Sequence, residues 1–274
     1  MFNRVMGRIL AGAVSLMALG GGVAAQGFFT DDAPPKAEAR LLAGWADPDG
    51  SRIGALRVDL ADGWKTYWRT PGEGGIPPTF DWAGSENVAN IQISWPTPIV
   101  FDTYGMQTIG YKHQMTLPLR LTPKDPARPL RLKLALFYGV CDEMCIPARA
   151  DLALDIAPGA APEGAAEIRA ALAAAPAPAA AAGLTGAQCA IEDGVLTARL
   201  AFTPAPTRAP IVIAEAQKGV WIGPMDARLD QGEIRASGEF RADPGEWIDR
   251  GAIRLTLIGG EGRALSLTGC PASG

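Results

Sequence analysis

The sequence predicts an all-β protein of two sandwich-like domains in series, joined by a short helix and an Ala/Pro-rich linker. Three observations predict it. Short apolar runs alternate with period two, as in Leu130–Tyr138, where Leu132, Leu134 and Leu136 share one side and Arg131 and Lys133 the other. That is the pattern of a half-buried strand. Turn sequences rich in Gly, Pro and Asp separate such runs. One stretch, Pro158–Gly183, is dominated by Ala and Pro, and a composition shift of that kind marks a domain boundary.

The chain has 274 residues, the length of one or two domains. It opens with Met1–Ala25, which carries Arg4 and Arg8, an apolar run Ile9–Leu19 and small residues before Gln26. This reads as a secretory signal peptide cleaved after Ala25. Nothing later reaches the roughly 18–20 continuous apolar residues a spanning helix needs. A soluble, monomeric periplasmic protein is expected, in a compartment that permits disulfides. The formal net charge is −4 and becomes −6 once the two arginines of the signal segment are removed. A mildly acidic surface argues against nucleic acid and gives no signal for an anionic membrane.

The elements follow in order. Ala39–Ala46 and Ser51–Leu60 read as strands joined by Asp47-Pro48-Asp49-Gly50, with Leu56, Val58 and Leu60 alternating. Gly63–Trp82 holds Trp64, Tyr67, Trp68, Phe80 and Trp82 around a Pro- and Gly-rich centre, and is expected to be a structured loop packed on an aromatic core. Ile91–Trp95 is a short strand, and Phe101–Tyr111 a shaped loop. Gln114–Leu121 is a strand whose Pro118 favours an edge or bulge. Leu130–Tyr138 and Leu152–Ile156 flank the first two cysteines.

Pro162–Ala175 is expected to be a helix stopped by Pro176, and Ala177–Gly183 a flexible linker. Strands then follow at Val195–Phe202, Ile211–Glu215, Gly219–Ile222, Glu233–Phe240 and Ile253–Ile258. The expected division is residues 1–25 signal peptide, 26–157 first domain, 158–183 helix and linker, and 184–274 second domain.

Four cysteines are too few for a disulfide scaffold in a chain that can bury a core, so each pair wants its own explanation. Cys189 lies before the expected first strand of the second domain and Cys270 after its last. A bridge between them would close a long loop, where cross-linking stabilises most, and reads as a structural disulfide. Cys141 and Cys145 sit in F-Y-G-V-C-D-E-M-C-I-P (Phe137–Pro147), near the connection between two strands. A loop this small closes little unfolded-chain entropy. A redox or metal role explains this pair better than stapling.

Three motifs carry a resemblance: W-K-T-Y-W-R-T-P-G-E-G-G-I-P-P (Trp64–Pro78), Y-G-M-Q-T-I-G-Y (Tyr104–Tyr111) and Y-G-V-C-D-E-M-C-I-P (Tyr138–Pro147). Together they resemble the N-terminal periplasmic domain of DsbD-type thiol:disulfide interchange proteins, closest to the branch of ScsB, the suppressor of copper sensitivity protein. The resemblance covers about Leu41–Ile156. It implies an immunoglobulin-like first domain, with Cys141 and Cys145 as the redox pair. It also implies a cap loop at Phe101, Asp102, Thr103, Tyr104 and Gly105, with Phe101 and Tyr104 covering the pair. The implied partners are a membrane-embedded electron donor of the DsbD/CcdA type, expected on a separate chain, and periplasmic thioredoxin-like proteins, a cytochrome c maturation factor among the candidates. No cofactor is expected.

Thiol–disulfide exchange needs an attacking thiolate, a reachable sulfur and a leaving thiol. Asp142 and Glu143 follow Cys141, and negative charge disfavours a thiolate. No Lys or Arg is adjacent in sequence, Arg149 being nearest. Both features suit a shielded relay, with Cys145 taking the attacking role by resemblance. The alternative is a Cu(I)-binding protein of copper tolerance using Cys141, Cys145 and Met144, with Met106 or His113. A third reading is a non-catalytic immunoglobulin-like scaffold. A Ser-His-Asp hydrolase would have to use His113, the only histidine, and the Pro71–Gly75 run lacks the Lys and following helix of a phosphate loop.

Overall fold

The computed structural model describes residues 36–103, 105–159, 162–260 and 262–271; the expected signal peptide at residues 1–25 and Tyr104 lie outside the described residues. The first sandwich is built from β1 (Ala37–Ala46), β2 (Arg52–Leu60), β3 (Lys65–Gly72), β4 (Thr79–Asp81), β5 (Val88–Ile93), β6 (Ile99–Thr103), β7 (Met106–Lys112), β8 (Gln114–Pro123), β9 (Leu130–Cys141) and β10 (Cys145–Ile156). Helix α1 (Ala165–Ala173) follows. The second sandwich holds β11 (Ala177–Pro178), β12 (Leu184–Glu192), β13 (Val195–Phe202), β14 (Ile211–Glu215), β15 (Val220–Ile222), β16 (Asp226–Asp230), β17 (Glu233–Ala242), β18 (Arg254–Ile258) and β19 (Leu265–Thr268). The chain is all-β with two sandwiches, as the sequence predicts.

In the first sandwich one sheet runs β1-β2-β8-β5 and the other β10-β9-β3-β7-β6, with β4 paired to β9. Alternation on β9 sends Leu130, Leu132, Leu134, Leu136, Tyr138 and Val140 into the core, against Leu56, Val58, Trp68 and Leu117. The other face of β2 is buried too, because α1 lies on it: Ile168 packs on Ile53 and Ala55. Glu167 of the helix pairs with Arg57 and accepts from Thr116 at 2.6 Å. The second sandwich stacks β11-β19-β18-β14 on β12-β13-β17-β15, with β16 also on β17. Its core closes around Leu196, Leu200, Val212, Ile234, Leu255 and the Cys189–Cys270 disulfide.

Five local expectations are corrected. Within Gly63–Trp82, Lys65–Gly72 is a strand, not a loop. It lies inside its sheet with both faces covered, so Lys65–Trp68 are all buried and the alternation that would identify it is absent. Phe101–Tyr111 is most of the β6–β7 hairpin rather than a loop. Pro118 sits on an interior strand, between β2 and β5. Its carbonyl accepts from Ser94 N at 2.8 Å, just past the end of β5, so the missing N–H faces a partner that is running out. Ala177–Gly183 is not free chain. Ala177 and Pro178 pair with Leu265 and Ser266, and Ala179 is buried. Cys189 lies within β12, not ahead of the first strand.

The two sandwiches are in contact. Ile213 of β14 is buried in the first core. Beside it, the Glu215 carboxylate accepts Arg69 Nε and Nη2, each at 2.7 Å, and Thr70 Oγ1 at 2.8 Å.

Candidate redox site

The site starts from the β9–β10 hairpin. Its register pairs Cys141 with Cys145 across a turn made by Asp142, Glu143 and Met144. Directly opposed residues on antiparallel strands come close enough to bond, and here the two Cα atoms are 4.1 Å apart and the sulfurs are joined. The two ends of the bond differ. Cys141 is 0% exposed, whereas Cys145 and the turn residues are exposed, Met144 at 72%.

Cys141 is sealed because it faces outward from the sheet under other groups. Val140 and Tyr138 point to the core, so Cys141 and Gly139 take the opposite face. On that face β3 supplies the neighbours. Lys65 is the ladder partner of Cys141, and Lys112 of β7 is the ladder partner of Lys65. One row therefore reads Cys145, Cys141, Lys65, Lys112 across four strands.

Two residues along β3, Tyr67 lies on the same face. Its hydroxyl donates to Cys141 Sγ at 2.8 Å and stands 3.1 Å from Cys145 Sγ. The ring occupies a slot that glycines leave open. A Cβ on Gly139 would lie 3.1 Å from the ring and 2.7 Å from Ile76 Cβ, and one on Gly75 would lie 2.6 Å from the ring. Burial pushes the phenol up from its ordinary value, so the O–H remains a donor at neutral pH.

The charges across the ladder modify the sequence reading. Asp142 and Glu143 do flank the pair, but Lys65 stands opposite Cys141, 76 positions away in the chain. Burial, and then the Lys112 ammonium, push the Lys65 amine below its ordinary value, while Asp142 pulls it up. The Lys65 and Lys112 ammonium groups each stand 5.2 Å from the Phe101 ring centre. Phe101, 9% exposed, thus packs against the ladder neighbour of Cys141.

The expected cap residues Phe101, Asp102 and Thr103 end β6, and Gly105 lies in the turn to β7. Asp102 Oδ1 accepts from Gly105 N at 3.1 Å, and Gly105 takes a φ of 79°, which glycine adopts without strain. Met106, 43% exposed, is in β7. His113 sits exposed in the turn to β8, where its carbonyl accepts from Leu60 N at 2.8 Å. The sequence reading placed Tyr67 in an aromatic core and missed Lys65 and Lys112. The signal was W-K-T-Y-W read as a strand, since Lys65 and Tyr67 at i and i+2 share a face.

The second disulfide is built differently. Cys189 and Cys270 are 0% and 1% exposed, 5.4 Å apart at Cα and separated by 81 positions. Cys189 N donates to Pro271 O at 2.8 Å.

Residues 34–156 match the family model for the thiol:disulfide interchange protein DsbD, N-terminal. No curated protein sequence matches the chain. The N-terminal periplasmic domain of ScsB from Proteus mirabilis shares the fold: TM-score 0.67 at 23% identity, over 88% of this chain and 95% of that one. The Neisseria meningitidis DsbD N-terminal domain in the reduced form matches 46% of this chain and 90% of that one, at 24% identity. Its TM-score, 0.29, supports no inference.

Proposed function

We propose, from the match of residues 34–156 to the model for the DsbD N-terminal domain, that the chain passes reducing equivalents through Cys141 and Cys145 by thiol–disulfide exchange. One observation carries this reading. The disulfide has an open end at Cys145 and a sealed end at Cys141, with the Tyr67 hydroxyl donating to the sealed sulfur at 2.8 Å.

The steps follow from that asymmetry. A partner thiolate attacks Cys145 Sγ, the sulfur open to solvent. A bond forms between the partner sulfur and Cys145 as the Cys141–Cys145 bond breaks. The electron pair leaves on Cys141, where the Tyr67 O–H and the nearby Lys65 ammonium stabilise the thiolate. The partner's second thiol gives up its proton and attacks its own sulfur in the mixed disulfide. That releases Cys145 as a thiolate and leaves the partner oxidised. Delivery runs in reverse: the Cys145 thiolate attacks an acceptor disulfide, and Cys141 resolves it.

The donor in this reading is a membrane-embedded protein of the DsbD/CcdA type, and the acceptors are periplasmic thioredoxin-like proteins. Phe101–Gly105 acts as the cap, holding Lys65 through Phe101 until a partner docks. Among the described residues no helix is long and apolar enough to cross a membrane. In the copper reading Cys141 and Cys145 would be ligands once their disulfide is open.

The test is thiol trapping with mass mapping on the intact protein, across a series of dithiol buffers. Reversible opening of Cys141–Cys145 at a mild potential, with Cys189–Cys270 still closed, is the expected result. If both pairs resist until the protein unfolds, the scaffold reading replaces this one.

A further inference from the structure

We infer that Glu215, on the second sandwich, is a positioning residue for the exchange site, acting through Tyr67; this rests on the redox reading above. The first link is a bulge in β3. Between the Tyr67–Gly110 and Gly72–Thr108 pairs, β3 advances five residues while β7 advances two. The surplus chain, Trp68–Pro71, leaves the regular ladder immediately after the residue that touches both sulfurs. A bulge re-aims the strand that follows, and it needs local partners to hold one conformation.

The second link is what holds it. Arg69 and Thr70 lie in the surplus segment, and both place their side-chain donors on one Glu215 carboxylate, at 2.7, 2.7 and 2.8 Å. The bidentate geometry fixes the guanidinium plane as well as its position. That plane also lies 3.8 Å over the fully buried Trp68 ring. The carboxylate itself is well covered, with the Glu215 side chain 12% exposed.

The third link runs from the bulge to the tyrosine. Beyond Thr70 the chain turns through Pro71 and Gly72 and folds back, so that Gly75 forms one wall of the Tyr67 slot. A Cβ on Gly75 would strike Pro71 Cβ at 2.3 Å and the Tyr67 ring at 2.6 Å. Pro71 and the tyrosine ring therefore both stand against Gly75, with no room there for a side chain. The same loop is fastened to the cap hairpin: Gln107 N donates to Glu73 Oε2 at 3.1 Å, and Glu73 N donates to Gln107 O at 3.2 Å. One carboxylate of the second sandwich thus fixes the bulge, the bulge sets the slot wall, and the wall aims the hydroxyl at the sulfurs. This gives the second sandwich a part in the chemistry beyond spacing.

The experiment is a double-mutant cycle on the full chain, using Glu215→Gln and Tyr67→Phe. It reads the rate of Cys141–Cys145 reduction by dithiothreitol under native conditions, with melting followed alongside. Tyr67→Phe removes the hydrogen bond to the leaving thiolate and is expected to slow reduction about tenfold. Glu215→Gln keeps the side-chain volume but loses the charged bidentate pair, and is expected to slow reduction about threefold. In the double variant the glutamine adds nothing further, because both changes act on one hydroxyl.

A Glu215→Gln rate equal to wild type overturns the inference, as does a slowing that multiplies with that of Tyr67→Phe. A fall in melting temperature with no change in rate assigns Glu215 to holding the sandwiches together, and also overturns it. Failure of the redox reading itself is seen separately, as wild-type resistance to dithiothreitol.

Discussion

The two disulfides use one bond type in two opposite surroundings. Cys189–Cys270 joins positions 81 apart, and both sulfurs lie inside a core. Cys141–Cys145 joins positions four apart, with one sulfur sealed and the other open. On the chain-entropy account the long loop is worth about 4.5 kcal/mol and the short one about 2 kcal/mol. The bond that stabilises most is unreachable, and the reachable bond stabilises little. The polar groups follow the same division, for Tyr67, Lys65 and Asp142 all gather at the short one.

The largest effect expected from breaking this comparison is on stability. Replacing Cys189 and Cys270 together by alanine should cost about 4.5 kcal/mol in urea unfolding, whereas replacing Cys141 and Cys145 should cost about 2 kcal/mol or less. Equal costs would mean that loop length does not separate the two bonds. A smaller effect separates them by charge. Lys65→Met should slow reduction of the Cys141–Cys145 pair about threefold, because the leaving thiolate loses a nearby ammonium, and Lys65→Arg should restore it. The smallest has the opposite sign. Asp142→Asn should speed the same step about twofold, by removing a negative charge beside the nascent thiolate. Neither substitution should alter the reducibility of Cys189–Cys270, which mass mapping of trapped thiols would check.

Much of this arrangement is legible in the sequence, and the remainder is not for identifiable reasons. The β9–β10 hairpin could be read because each strand buries one face, so Leu132, Leu134 and Leu136 alternate with charges. β3 could not, because Lys65–Trp68 are covered on both sides and spell an unbroken run. That one omission hid the site chemistry. With Gly63–Trp82 taken as a loop, Tyr67 was an ordinary core aromatic and Lys65 had no address. The charge reading then rested on chain neighbours alone, and it found Asp142 and Glu143 but not the amine opposite. Pro118 misleads in the other direction: it favours an edge or a bulge, yet an interior strand accepts it where its neighbour ends.

Ile213 carries a consequence for the whole molecule. A residue of the second sandwich completes the core of the first, so neither sandwich can come apart without exposing apolar surface of the other. The two sandwiches are therefore expected to lend each other stability, the long-loop bridge included. A bridge buried in the second core thus adds to the stability of a fold whose small, open disulfide stands on the other sandwich.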